Sequence, residues 1–400
     1  MGQFIVEKAT YNIQDNPNFG AILQALGPRH AMVFGALPLW LAWNFEPIPL
    51  IAVTLPAIAY AWAISPAGLR WYGRETPVEA KYPRYFYAGI AALALALFSP
   101  LDILGMHFLL TAHMIQHVFF SVIGPPLLLL GIPGWMVEPF FRGARMQRVG
   151  RFLTHPFVAF GLYNLNMWVW HVPFLLDATP SSGVIAATEL LDYALLLGAL
   201  LVGGFLVLPR LIRTGKSSIS LAASVLVFAG IIALTVVGSL SVANWPVSSQ
   251  PHNPVHTVMN LMFIGTAILY WCPILNPVPQ LPRITPVFGM LYMFISTQPM
   301  MALGALIVFS GQPLYSIYAG APSIWGFTPL GDQQLAGLIM WLIMDIPLIV
   351  TITILFFRWM ASQERAQRES EALAHPEDDL IWQTPKQAPE HASSHASGAE

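Results

Sequence analysis

Apolar residues fall in long blocks along most of this chain, divided by short polar or basic stretches, with none of the period-2 alternation of barrel strands. Blocks of about 20 residues are long enough to cross a bilayer as helices. They predict spans near residues 48–64, 84–99, 106–130, 155–176, 186–208, 218–241, 255–275, 285–309 and 334–357, about nine in all. Residues 31–44 are apolar but short and carry Pro38, so they read better as an interfacial helix than as a tenth span. The expected fold is all-α, a polytopic integral membrane helix bundle. A polar or interfacial segment (1–46) precedes a transmembrane domain (47–360), and the Glu-, Ala-, Ser- and Pro-rich stretch 361–400 reads as a disordered cytoplasmic tail.

Composition agrees with this pattern. Of 400 residues, 56% are hydrophobic and 10% charged, far below the roughly 25% charged of soluble domains. The basic residues lie in alternate loops. Arg70, Arg74, Lys81 and Arg84 follow the first expected span; Arg142, Arg145, Arg148 and Arg151 follow the third; Arg210, Arg213 and Lys216 the fifth; Arg283 the seventh; Arg358, Arg365 and Arg368 the last. The positive-inside rule makes those loops and the C-terminus cytoplasmic. The first 20 residues lack the apolar core of a cleavable signal peptide. A net charge of −2 without a basic cluster of the nucleic-acid kind argues against a nucleic-acid partner and leaves the lipid bilayer as the evident one. Cys272 is the single cysteine, so a soft-metal site would have to be built from His and Met.

Candidate chemistry concentrates between Ser99 and Gly131, where His107, His113 and His117 sit in one apolar stretch. Metal-ligating side chains are costly inside a membrane, which makes them functional candidates; the bland alternative is polar glue between helices. At 100° per residue His113 and His117 face the same way, with Met114 and His107 on the same side of an unbroken helix. His107, about 9 Å away along the axis, would be an outer or second ligand. By topology His171, His252 and His256 reach the same membrane face, with Asp102, Asp177, Glu189, Asp192 and Asp332 at or near it. Imidazole with thioether suits copper and, less selectively, zinc or iron, and carboxylate partners would fix the imidazole tautomers. Gln116 reads as a packing or hydrogen-bonding residue, and His155 as a helix-start residue on the inner side. Asp345, in the last span near Pro347, reads equally as a proton carrier or as a partner for a polar group on a neighbouring helix. No nucleophile elbow, phosphate loop or H-E-x-x-H motif is present, so the sequence does not indicate an enzyme.

Several blocks resemble the CtaG family of membrane proteins needed to assemble cytochrome c oxidase. They are Ser99-Pro100-Leu101-Asp102, Ala112-His113-Met114-Ile115-Gln116-His117, Pro125-Pro126 through Gly131, Trp170-His171-Val172-Pro173, Tyr270-Trp271-Cys272-Pro273, Gln312-Pro313-Leu314-Tyr315 and Asp332-Gln333-Gln334 through Trp341. The resemblance implies a multi-pass assembly factor in a bacterial inner membrane, with cytochrome c oxidase subunits as partners and copper as the metal it helps to insert. The candidate ligands read from spacing and topology are His113, His117, His107, His171, His256 and Met114. The chain departs from the family pattern where a Glu-His pair is usual. Either Glu189 or His256 stands in for it, His256 having the better spacing to Trp271 and Pro273, and about two extra helices lie between. Asp345 also stands where small residues are usual. The competing expectations are a haem-binding electron carrier, with His pairs on facing helices, and a proton-coupled transporter using Asp345 and the histidines as a relay.

Overall fold

The computed structural model describes Trp43 and residues 47–176, 254–278, 280–281, 283–321 and 325–374, and among these every regular element is helical. The principal helices are α1 (Pro47–Ala63), α2 (Lys81–Phe98), α3 (Pro100–His107), α4 (Leu110–Gly131), α5 (Ala144–Leu153), α6 (Pro156–Trp170), α7 (Pro254–Leu275), α8 (Pro286–Val308), α9 (Pro329–Leu338) and α10 (Asp345–Ala374). A π-helical turn, Ile339–Ile343, joins α9 to α10. The expected spans at 186–208 and 218–241 lie outside the described residues. So do Asp177, Glu189, Asp192 and His252, nearly all of the 1–46 segment and the tail beyond 374.

Four helices are long and apolar enough to cross a membrane: Leu110–Gly131, Val255–Leu275, Pro286–Val308 and the 43-residue rod Pro329–Glu371. The pair α2 and α3, bent by 47°, makes a fifth if taken as one span. At 17 and 15 residues, α1 and α6 reach only about 22–26 Å, short of a hydrocarbon core of about 30 Å. The count of about nine spans thus becomes four or five among the described residues.

Local sequence accounts for many of the boundaries. Ser99 ends α2 in extended geometry (φ −76°, ψ 170°) and its hydroxyl accepts from the Leu101 amide at 3.3 Å. Pro100 follows at the first helical position, where its missing N–H is no loss, so Ser-Pro makes the elbow. Gly131 lets α4 close on α2, because a Cβ there would overlap the Phe86 backbone. Its carbonyl accepts from the Tyr60 hydroxyl at 2.8 Å.

Two boundaries correct the sequence reading. The span expected from 106 to 130 is interrupted at Phe108 and Leu109, both with φ near −130° (−129° and −133°), so His107 ends α3 and the next helix begins at Leu110. The last helix continues to Ala374, making 361–374 helical where a disordered tail was expected. These residues lack an apolar stripe but are strong helix formers, supported by the Gln367–Glu371 contact at 2.9 Å one turn apart.

The main core runs between α2, α4, α6, α7, α8 and α10, around Met114, Phe120, Met167, Phe263, Trp271, Met293 and Met300. The outward faces are also apolar. Phe288, Leu291 and Phe294 of α8 and Ile346, Ile349 and Val350 of α10 are exposed, as lipid-facing positions should be.

Candidate metal-binding histidine cluster

The core of α4 carries Leu110-Thr111-Ala112-His113-Met114-Ile115-Gln116-His117, and His113 and His117 are 2% and 1% exposed. Their spacing of four residues brings the two Nε2 atoms to 2.9 Å. One nitrogen of that pair carries the proton and the other accepts it. Across the interface, His171 sits at the C-cap of α6 with its ring centroid 5.4 Å from that of His117. His256, in the first turn of α7, lies 5.7 Å from His113 between centroids. Three helices thus contribute four imidazoles to one buried cluster.

The protonation pattern follows from the contacts. His171 Nδ1 donates to the Met167 carbonyl at 2.6 Å, which fixes its proton there and leaves Nε2 as a bare lone pair. A backbone carbonyl therefore sets this tautomer, where a carboxylate was expected. His171 Nε2 and the Nδ1 atoms of His113 and His117 are buried without a hydrogen-bond partner. Buried polar atoms are nearly always paired, and leaving one bare costs about 1–3 kcal/mol. The ring that accepts at Nε2 carries its own proton on Nδ1, so the cluster holds two bare lone pairs as it stands, one on the donating ring and one on His171, and a third once a bound cation displaces that proton. Among the described residues, however, no three or more His, Cys, Asp or Glu side chains are arranged to hold an ion as they stand. Ring rotations are required to bring the nitrogens onto one centre.

The acids of this face are engaged elsewhere. Gln116 Nε2 donates to Asp102 Oδ1 (2.9 Å) and to the Ala96 carbonyl (2.8 Å), so Gln116 is a strut between α2, α3 and α4, in keeping with its sequence reading. Gly105 permits this close approach: a Cβ would stand 2.5 Å from Gln116 Oε1. Asp332, in the first turn of α9, accepts from the Leu110 amide at 2.7 Å and the Thr111 amide at 3.1 Å, while Thr111 Oγ1 donates to the Asp332 carbonyl at 3.1 Å. The start of α4 has no cap from its own sequence. A carboxylate from a distant helix supplies it and fixes where the histidine helix begins.

Two other expected ligands have surroundings of their own. His107, half-buried at the end of α3, meets Phe108 edge-on at 6.4 Å. Met114 is fully buried in the apolar core. His155 stands at the N-cap of α6, stacked on Phe157 at 5.8 Å, as a helix-start residue should. Asp345 begins α10, its Oδ1 buried without a hydrogen-bond partner and within electrostatic reach of Tyr163 and Tyr270.

Other residues of the site escaped the sequence reading. Phe263 lies 4.1 Å from His117 and 6.2 Å from His171 between ring centroids, forming the floor of the cluster. It is seven residues from His256, two helical turns along nearly the same face, which was the available signal. Tyr315 donates to the His171 carbonyl at 3.1 Å and Tyr318 to the Gly105 carbonyl at 2.6 Å. Tyr318 also brings its ring to 6.4 Å from His113. The loop between α8 and α9 thereby covers the histidines.

Comparison with known proteins adds one match. The sequence model of a family described as cytochrome c oxidase caa3 assembly factor (Caa3_CtaG) matches residues 58–250 and 194–362, together more than three quarters of the chain. The two matched regions overlap where the sequence analysis counts extra helices. No curated protein and no solved structure matches the chain.

Proposed function

The chain belongs to the family of cytochrome c oxidase caa3 assembly factors, and from that premise we propose that it holds copper at the buried histidine cluster and passes it to the oxidase during assembly. The ligands in this reading are His113, His117 and His171, with His256 beside them. His107 and Met114 stay outside the set. The reading extends to a multi-pass protein of about nine spans with its C-terminus in the cytoplasm, which places the cluster toward the outer membrane face.

The observation that carries the proposal is three buried imidazole nitrogens without a hydrogen-bond partner, on His113, His117 and His171, whose rings pack against one another. Polar glue would leave these atoms paired. The rings of His113, His117 and His171 receive no carboxylate among the described residues, so a bound cation brings its charge into the site uncompensated. The charging cost in a low-dielectric interior rises with the square of the charge, which favours monovalent over divalent copper.

The test is the copper content of full-length protein purified in detergent, alongside oxidase activity in the cells that make it. Gln preserves hydrogen-bonding capacity but is a poor copper ligand. With His113→Gln and His117→Gln combined, the protein should accumulate normally in the membrane, copper retention should be lost, and the oxidase should be made but inactive. Full oxidase activity in the double variant would remove the metal site and leave a scaffold role.

A further inference from the structure

The segment between α4 and α6 has no part in the histidine cluster, yet it presents an organised surface. Arg142, Arg145, Arg148 and Arg151 follow one another at intervals of three and are all exposed. No described carboxylate lies within ion-pair distance of any of them, and Arg151 reaches only the Gln147 carbonyl and side-chain oxygens, both at 3.4 Å. Four neighbouring guanidinium groups repel one another unless an anion gathers them.

The apolar residues of α5 give the second half of the pattern. Met146, Val149 and Phe152 are 50%, 45% and 63% exposed. At 100° per residue they occupy an arc of about 120° that overlaps by about 20° the arc of about 120° holding Arg145, Arg148 and Arg151, so Phe152 and Arg145 interleave at the seam. The inner face packs against the segment just before α5 and, at Gly150, against Leu281. Gly150 packs so closely on Phe141 that a Cβ would stand 2.6 Å from that ring, and Gln147 donates to the Phe141 carbonyl at 2.8 Å. Both outward arcs are therefore held open. Phe140 and Phe157, before and after α5 in the sequence, are 65% and 82% exposed.

We propose that α5 with Arg142 is a binding surface for anionic phospholipid, with Met146, Val149 and Phe152 entering the acyl region and the arginines gathering headgroup phosphates. A helix with adjoining apolar and cationic outward arcs, following the membrane helix α4, has the make-up of a helix lying in the bilayer interface. Arginine provides paired N–H donors that match phosphate geometry. The apolar arc identifies the anion as a lipid, since a soluble acidic partner would not call for three exposed apolar side chains among the arginines.

The experiment uses full-length protein purified in detergent and exposed to phosphatidylglycerol or, in parallel, phosphatidylcholine. Bound lipid is counted by native mass spectrometry and thermal stability is recorded. The R145Q/R148Q/R151Q variant is set against R145K/R148K/R151K, which keeps the charge, and against R365Q/R368Q, which removes two exposed arginines of α10. Wild type, the lysine variant and the α10 variant should retain phosphatidylglycerol over phosphatidylcholine. The α5 glutamine variant should bind phosphatidylglycerol about tenfold more weakly or worse, since each basic side chain adds to the attraction of an anionic surface. Equal retention of the two lipids by wild type, or undiminished phosphatidylglycerol in the α5 glutamine variant, would overturn the proposal. So would lipid indifference joined to salt-sensitive capture of a purified oxidase through the same arginines, which would make the surface a protein contact.

Discussion

The first turns of α4 and the region around its π-helical turn, Phe119–Ile123, handle buried polar atoms in different ways. Around the π-turn the large aromatic side chains spend their polar atoms on backbone carbonyls and on a thioether. Trp271 donates to the Ser121 carbonyl at 2.8 Å, Tyr292 to the Tyr270 carbonyl at 2.9 Å and Ser296 to the Tyr292 carbonyl at 2.7 Å. Tyr270 donates to Met293 Sδ at 3.4 Å. The groups left bare there are the hydroxyls of Ser121 and Tyr163 and one oxygen of Asp345. One to two turns earlier the bare atoms are Gln116 Oε1 and imidazole nitrogens on rings packed directly against one another. Polar atoms paired with backbone hold helices in register; lone pairs gathered without partners are available to a ligand.

The comparison breaks if the π-turn region turns out to control metal. Trp271→Ala removes a fully buried indole and its hydrogen bond, and should cost about 3–5 kcal/mol of stability. Thermal unfolding in detergent checks this, with copper per folded molecule expected to match wild type. Copper loss with unchanged stability would erase the distinction between the two regions.

A smaller effect tests what positions the histidines. Asp332→Asn keeps one acceptor oxygen and so leaves either the Leu110 or the Thr111 amide uncapped, at a cost of about 1–3 kcal/mol. Hydrogen exchange should show faster opening across residues 108–112. Unchanged exchange there would mean that α4 starts at Leu110 for some other reason.

The smallest expected effect sharpens the comparison. Asp345 lies about 20 Å along its helix from Asp332, so Asp345→Asn should leave bound copper unchanged. Metal analysis of the purified variant decides it. Loss of copper with an intact fold would tie the acid to the histidine site and revive the relay reading.

The sequence disclosed whatever helical periodicity alone determines. His113 and His117 share a face because they are four residues apart, and alternation of the spans brings His171 and His256 to the same side. Periodicity could not disclose the break before Leu110, because the groups that cap α4 are on Asp332, 222 and 221 residues from the amides they receive. The two π-turns were equally hidden, since Phe119–Ile123 and Ile339–Ile343 have the apolar composition of ordinary membrane helix. Within 361–374 no apolar stripe marks a helix, and helix propensity with pairs one turn apart suffices to extend α10.

The Asp332 cap also sets an order in time. A chain emerging from the ribosome places His113 and His117 in the membrane long before residue 332 has been made, and until then the first amides of α4 have no carboxylate to receive them. The histidine helix reaches its final start only when the closing helix arrives. A chain that stops short of α9 carries every histidine of the cluster and still lacks the clasp that holds two of them in place.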